Sequence, residues 1–197
     1  MPIKIIVDSA SDITKEEAKI LGIEVIPMEI TIGDELFLDG YNLSTTRFYE
    51  KLVESDVLPK TSQITPYRYE QTYKKYVNDG YEVIVITLSS KLSATYNSAL
   101  QASKKFNGKV KVLGKARGSK KAKNMLTELV TQKGGIDFSL PFGAVYSGLT
   151  DVYVKKYIED SRHLWEKEVK EVPIHLIGCT IGTHVGPGAI GVAFFQK

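Results

Sequence analysis

Short apolar runs alternate along the chain with amphipathic stretches. Residues 3–7 and 82–87 are rich in β-branched side chains, which is typical of strands buried on both faces of a sheet. Helix-start signals lie between such runs: Thr14 begins a capping box, Ser44 precedes a helix predicted to end at Ser55, and Thr65 is followed by proline. The pattern therefore predicts strands and helices in alternation.

The same alternation continues to the end of the chain. Further strands are predicted at 24–32, 36–38, 109–113, 142–147 and 173–178, and further helices at 66–78, 93–106, 119–132 and 151–167. The polar segment 59–63 is predicted to be a loop, and the segment 181–191 a glycine-rich turn before a last strand.

This alternation implies parallel strands joined by right-handed crossovers. We therefore predict an α/β protein of two domains. The boundary is predicted near 107–108, with Gly114 as the alternative. With the first choice, residues 1–108 form an N-terminal domain with a parallel, Rossmann-like sheet, and residues 109–197 form a C-terminal α/β domain.

Composition narrows the class of protein. The 197 residues carry 26 Lys and Arg against 23 Asp and Glu, and this net charge of +3 is too small and too dispersed to indicate nucleic-acid binding. The single cysteine, Cys179, cannot form an intrachain disulfide, and neither a signal peptide nor a membrane-spanning run is recognisable. We expect a cytoplasmic protein without a cofactor, and the spacing of His and Cys indicates no metal site.

Polar side chains follow two of the predicted strands. Ligands of parallel sheets bind outside the carboxyl ends of the strands, and residues 8–12 and 89–93 both lie there. Ser93 belongs to a hydroxyl-rich segment, 87–96, that leads into a helix, where hydroxyls and backbone N–H groups attract a carboxylate or a phosphate. Plain N-capping of the helix explains the same residues.

A second candidate lies in the tail, where Thr183 and His184 stand side by side among glycines. Histidine is neutral or cationic near neutral pH and therefore suits an acidic ligand. The segment 186–191 matches G-x-G-x-x-G, but too few residues follow for the helix of a dinucleotide site.

Four segments together, 6–12, 60–63, 87–96 and 181–188, resemble the DegV family of bacterial fatty-acid-binding proteins. The resemblance implies two α/β domains with a long-chain fatty acid between them. It implies a carrier and not an enzyme, with no catalytic residue in the chain. It also implies a fatty acid kinase as partner, which receives the carboxylate to form an acyl phosphate.

The resemblance also implies residue roles. Thr61 and Ser93 would hold the carboxylate by hydrogen bonds, and His184 would lie at the same head group. The implied supporting groups are Ser62, Ser90 and Thr183, and the residue implied in docking the partner is Arg117.

Two alternatives remain open at the level of sequence. The first is a serine hydrolase with Ser93 as nucleophile, His184 as base and Asp8 as orienting acid, because these residue types suffice for a triad. The second is a truncated fragment that binds nothing. It arises because a long middle segment of the DegV family is missing, with the join near 106–113.

Overall fold

The computed structural model describes residues 2–88, 93–114 and 135–196. These parts belong to two compact units. The first contains the described residues up to 114 together with Cys179–Thr183, and the second contains 135–178 and 184–196.

Strands and helices alternate throughout the described parts. The strands there are β1 (Ile3–Asp8), β2 (Glu24–Ile26), β3 (Glu29–Ile32), β4 (Glu35–Leu38), β5 (Lys60–Ser62), β6 (Glu82–Thr87), β7 (Val110–Gly114), β8 (Gly143–Tyr146), β9 (Ile174–Leu176) and β10 (Ile190–Ala193). The α-helices there are α1 (Lys15–Leu21), α2 (Thr45–Glu54), α3 (Pro66–Asn78), α4 (Thr95–Ser103), α5 (Val152–Asp160) and α6 (Cys179–Val185). Short 3₁₀ turns follow β1, α4 and α5.

The first unit is built on a parallel sheet with the strand order β2-β1-β6-β7. Helices α3 and α4 pack against β6 and against each other. The core between them is apolar and rich in tyrosine rings; its fully buried members include Ile6, Ile64, Tyr69, Tyr73 and Val85. The predicted α/β class with a parallel N-terminal sheet is therefore confirmed.

A small antiparallel sheet, β4-β3-β5, completes the first unit. The strand predicted at 24–32 is wrong, because it is two strands in different sheets: β2 pairs with β1, and β3 pairs with β4 and β5. Pro27 lies between them and has no backbone N–H to give to a ladder. The loop predicted at 59–63 is also wrong, since β5 pairs with β3 and sets Thr61 opposite Ile30.

The second unit has a mixed sheet in the order β10-β8-β9, in which β9 is parallel and β10 antiparallel to β8. Its own core lies against this sheet, and its buried members are Ile136, Ala144, Val154, Tyr157, Trp165 and Val172. The ring of Trp165 packs edge-on against Tyr157, with 5.9 Å between the ring centroids.

Local signals in the sequence specify several helix ends. Thr14 and Glu17 form the predicted capping box of α1, and Gly22 ends that helix at φ +66°. Ser44 and Thr65 cap α2 and α3, each accepting a bond from the backbone N–H three residues later.

Two further expectations differ from the structure. The helix predicted at 151–167 ends at Asp160, where Ser161 donates its hydroxyl to the carbonyl of Tyr157 before a 3₁₀ turn. The glycine-rich turn predicted at 181–191 is wrong in its first part, since residues up to Val185 belong to the helix α6, whereas residues 186–189 form a loop before β10. The helix predicted at 119–132 lies outside the described residues.

The predicted domains, 1–108 and 109–197, differ from the two units in two places. Strand β7 pairs in parallel with β6 and so extends the first sheet beyond residue 109. The segment Cys179–Thr183 also belongs to the first unit. The first difference comes from strand pairing, and the second segment is bonded to Asp39 through Thr180.

Candidate functional site

The carboxyl ends of β1 and β6 form a switch point in the first sheet. These strands are neighbours, and the chain leaves β1 toward β2 on one side and β6 toward β7 on the other. Ligands of open parallel sheets bind in the crevice at such a point. Asp8 is the last residue of β1, and Thr87 is the last residue of β6.

Asp8 is a buried carboxylate that ties the ends of these two strands together. Its side chain is only 2% exposed. One oxygen accepts a bond from the backbone N–H of Leu88 at 2.9 Å, and the other accepts from Ala10 N at 3.2 Å. Burial raises the pKa of Asp8 above its ordinary value, and these two bonds oppose that rise.

Ser93 lies at the start of α4, after β6. Its hydroxyl oxygen accepts a bond from the backbone N–H of Thr95 at 3.2 Å. The N-cap residue of α4 is Ala94, which has no side-chain capping bond, so the contact between Ser93 and Thr95 is a local turn bond just before the helix. This bond uses a lone pair of the oxygen and not the hydroxyl hydrogen, so the chemistry of a donor to an anion is retained.

Thr61 and Ser62 lie on β5, in the other sheet of the first unit. Successive strand residues point to opposite faces. Thr61 is half-buried and Ser62 is exposed, so of this pair Thr61 is directed toward the protein.

A second buried carboxylate, Asp39, follows β4 and is 5% exposed. One of its oxygens accepts bonds from Ser9 Oγ at 2.9 Å and Thr180 Oγ1 at 2.5 Å. Ser9 Oγ in turn accepts from the backbone N–H of Met28 at 3.0 Å. This buried network fastens a late segment of the chain to residues near its beginning.

The first turn of α6 packs closely on α2. A Cβ on Gly182 would lie 2.6 Å from the hydroxyl oxygen of Tyr49 and 2.9 Å from a ring carbon of Phe48. Only glycine fits there, which explains a glycine inside a helix. The thiol of Cys179 is fully buried in the same region, and burial raises its pKa.

Thr183 and His184 follow in the same helix. The Thr183 hydroxyl donates to the carbonyl of Cys179 at 3.0 Å, which is an ordinary helical back-bond. His184 is exposed in the last turn and belongs by its contacts to the second unit. Ser90 and Arg117, the other predicted residues, lie outside the described parts of the chain.

Two hydroxyls of the first unit are buried and have no hydrogen-bond partner among the described residues, Tyr69 Oη and Thr95 Oγ1. Both side chains are fully buried. Burying a polar group without a partner costs about 1–3 kcal/mol. Burial raises the pKa of Tyr69 far above its ordinary value, and the negative charge of Asp8 raises it further.

The second unit has a buried serine with a different environment. Ser147 Oγ donates to the carbonyl of Gly186 at 2.6 Å and accepts from the backbone N–H of Ala189 at 2.8 Å. Its backbone also bonds to Ala189 and Gly188. Gly186 and Gly188 have positive φ, +71° and +82°, which the tight loop requires.

The described residues contain no group of His, Cys, Asp and Glu arranged to hold a metal ion. Within the same ranges, no helix is both long and apolar enough to cross a bilayer.

Sequence reasoning missed Asp39, Thr180, Tyr69 and Thr95. Asp39 precedes Gly40, and an Asp-Gly pair is typical of an ordinary turn, so the sequence does not mark Asp39 as a buried carboxylate. Tyr69 and Tyr73 carry a detectable signal, because their spacing of four places both on one face of α3. Nothing in the sequence distinguishes a partnered tyrosine hydroxyl from an unpartnered one.

The molecule is thus an α/β protein with buried polar groups at the switch point of its N-terminal sheet. Its chain matches the model of the DegV family COG1307, described as uncharacterised, over residues 2–113 and again over 104–197. The chain belongs to the DegV family, which confirms the resemblance drawn from its sequence segments.

Individual relatives agree with this assignment. A DegV domain-containing protein of Clostridium perfringens is 44% identical over 100 residues, which are 51% of this chain and 36% of that protein. The chain thus spans little more than a third of this relative's length. DegV of Bacillus subtilis, described as a fatty acid binding protein, has a similar structure with a TM-score of 0.75 and 21% identity, covering 100% of both chains.

A second similar structure is the fatty acid kinase (Fak) B3 protein of Streptococcus pneumoniae, loaded with linoleic acid. Its TM-score is 0.69 at 13% identity, again covering 100% of both chains. At these identities, the two structures establish a shared fold.

Proposed function

We propose that this chain binds a long-chain fatty acid and holds its carboxylate at the switch point of the first sheet. The observation that carries the proposal is Ser93, a hydroxyl at the start of the helix that follows β6, the strand whose end is tied to that of β1 through Asp8 and Leu88. Thr61 and His184 are the other proposed contacts, with Ser62, Ser90 and Thr183 in support. The fatty-acid ligands named for the similar structures support the same class of ligand.

The energetics of such a ligand suit this proposal. Each methylene of an acyl chain gains about 0.8 kcal/mol on burial, so the tail supplies most of the affinity. The carboxylate then needs a few donors, because an unpaired buried charge is costly. Neutral hydroxyls meet this need without adding a second buried charge.

We further propose that the chain is a carrier that presents the carboxylate to a fatty acid kinase, with Arg117 in the docking surface. The similarity to a protein named for a fatty acid kinase supports this partner. In this scheme the partner carries out the phosphoryl transfer and the present chain contributes binding and orientation.

Native mass spectrometry of the purified protein tests the binding. We expect a mass increase that matches one fatty acid, and solvent extraction should release that fatty acid. Ser93→Ala should reduce the bound fraction because it removes a proposed donor to the carboxylate.

Ser103→Ala is the matched control, since Ser103 is at the other end of α4 and donates to the carbonyl of Leu100. This variant should retain the ligand as the wild type does. Equal retention by the wild type and Ser93→Ala contradicts the proposed role of Ser93, and a protein that binds no added palmitate contradicts the function.

A further inference from the structure

Two buried hydroxyls, Tyr69 Oη and Thr95 Oγ1, have no role in the proposal above. They lie on α3 and α4, which lead into β6 and β7 respectively. Because these strands are parallel, both helices run opposite to the sheet and therefore in the same direction. The start of each helix accordingly lies at the carboxyl end of the sheet.

A hydrogen bond one helical turn after Tyr69 and Thr95 shows how the helices α3 and α4 are aligned along their axes. Tyr73 Oη donates to the carbonyl of Ala99 at 3.3 Å. Tyr69 precedes Tyr73 by four residues, and Thr95 precedes Ala99 by four residues. Tyr69 and Thr95 therefore both lie about one helical turn before this bond, at matching positions on the neighbouring helices α3 and α4.

Both residues are linked to the switch point. The backbone N–H of Thr95 donates to Ser93 Oγ, and Tyr69 lies in the first turn of α3, whose start is at the carboxyl end of the sheet. Tyr69 Oη makes no hydrogen bond to Asp8, whose two oxygens each accept a bond from a backbone N–H group. Tyr69 keeps its proton at neutral pH and is therefore a donor.

We propose that Tyr69 Oη and Thr95 Oγ1 are two further hydrogen-bonding groups of the head-group site, specific for the carboxyl group of an aliphatic acid. This inference rests on the proposed fatty-acid function. The surroundings are apolar, since Tyr69 belongs to the core with Met28 and Ile64, so a hydrogen bond to the ligand is strong there. The two hydroxyls select an acid over its ester, because the ester lacks the charged acceptor.

Isothermal titration of the whole protein with palmitate and with methyl palmitate tests this inference. The variants are Tyr69→Phe and Thr95→Val, which remove one hydroxyl each at nearly constant volume. We expect each to weaken palmitate binding about tenfold, as for the loss of one hydrogen bond to a charged group, and to leave the ester unaffected. Thr95→Ser keeps a hydroxyl and should bind palmitate within about twofold of the wild type.

Two matched controls remove hydroxyls that already have protein partners. Tyr73→Phe loses the bond to Ala99, and Thr72→Val loses a bond to the carbonyl of Arg68. Both should bind palmitate as the wild type does, and urea unfolding should show every variant folded.

Wild-type affinity in both Tyr69→Phe and Thr95→Val overturns the inference and indicates that a buried water satisfies these groups instead. If Ser93→Ala still weakens palmitate binding in that case, the proposed function is retained and only the roles of Tyr69 and Thr95 are rejected. Absence of palmitate binding by the wild type overturns the function and the inference together.

Discussion

The buried polar groups of the two units differ in how completely they are paired. In the second unit, Ser147 Oγ both donates and accepts within its own glycine loop. In the first unit, Tyr69 Oη and Thr95 Oγ1 are buried without a partner within the described ranges. A loop whose polar groups all bond to one another stabilises the fold. Buried hydroxyls without a partner near a switch point can still donate hydrogen bonds to a ligand.

The first unit also contains buried polar groups that are hydrogen-bonded to one another, so the two kinds of buried group can be compared within one unit. Asp39 accepts bonds from Ser9 and Thr180 and so joins the C-terminal segment to the first unit. Polar burial alone therefore does not mark a binding site. The distinguishing feature is burial without a partner.

The largest expected effect is the loss of stability in Asp39→Ala. Removing this carboxylate leaves two buried hydroxyls, those of Ser9 and Thr180, without their acceptor. We expect the free energy of unfolding to fall by about 3 kcal/mol, measured by urea denaturation followed by circular dichroism.

Asp34→Ala is the control for this prediction, because Asp34 is an exposed turn carboxylate next to Gly33. It should change the free energy of unfolding by less than about 0.5 kcal/mol. Equal effects of the two substitutions would mean that the Asp39 network contributes nothing.

The second prediction concerns the paired region of the second unit. Ser147→Ala removes the acceptor of Ala189 N and the donor to the Gly186 carbonyl, so we expect a loss of about 2 kcal/mol. The fluorescence of Trp165, the single tryptophan of the chain, reports on this unit because the ring is in its core. Ser139→Ala, at an exposed serine bonded to Asp137, should leave the unfolding midpoint unchanged.

Substitutions of two tyrosines of α3 should change the free energy of unfolding less, but their comparison tests the contrast more directly. Tyr73→Phe loses a bond to the Ala99 carbonyl and should cost the ligand-free protein about 1 kcal/mol. Tyr69→Phe removes a buried hydroxyl that has no partner in the described parts of the chain, so it should cost nothing or stabilise slightly. Urea unfolding of delipidated protein measures both, and a greater loss in Tyr69→Phe would contradict the contrast.

The smallest expected effect is a pH dependence of stability from Asp8. Burial raises its pKa in the folded protein, so the folded state binds this proton more tightly than the unfolded chain does. Stability from this group is therefore greatest at low pH and is lost as the pH rises from near 3.8 through the folded pKa.

Asp8→Asn removes this titration while keeping the side-chain shape. The difference in free energy of unfolding between wild type and Asp8→Asn should therefore shift in favour of Asp8→Asn as the pH rises through that window. A difference that is constant with pH would show that Asp8 titrates alike in both states.

The sequence predicted those parts of the fold that local chemistry determines. Thr14 with Glu17, Ser44 and Thr65 begin their helices as expected, because a cap and its partner are three residues apart. The apolar run that forms β6 was also located by its own composition.

The parts that sequence reasoning missed depend on distant partners. Helix α6 contains Gly182, which is unfavourable in a helix, and the position is explained only by the approach of Phe48 and Tyr49. Polar β5 is a strand because β3 supplies its ladder. For the candidate site, Ser93 was identifiable as a hydroxyl after a strand, whereas Tyr69, Thr95 and Asp39 require knowledge of which hydroxyls find partners.

The most direct test of the central claim is a crystal structure of the protein with palmitate. The account predicts that a carboxylate oxygen lies about 3 Å from Ser93 Oγ, with Tyr69 Oη and Thr95 Oγ1 at the same head group. A palmitate carboxylate bound elsewhere, with Ser93 bonded only to the backbone of Thr95 and the other two hydroxyls as they are here, would contradict it.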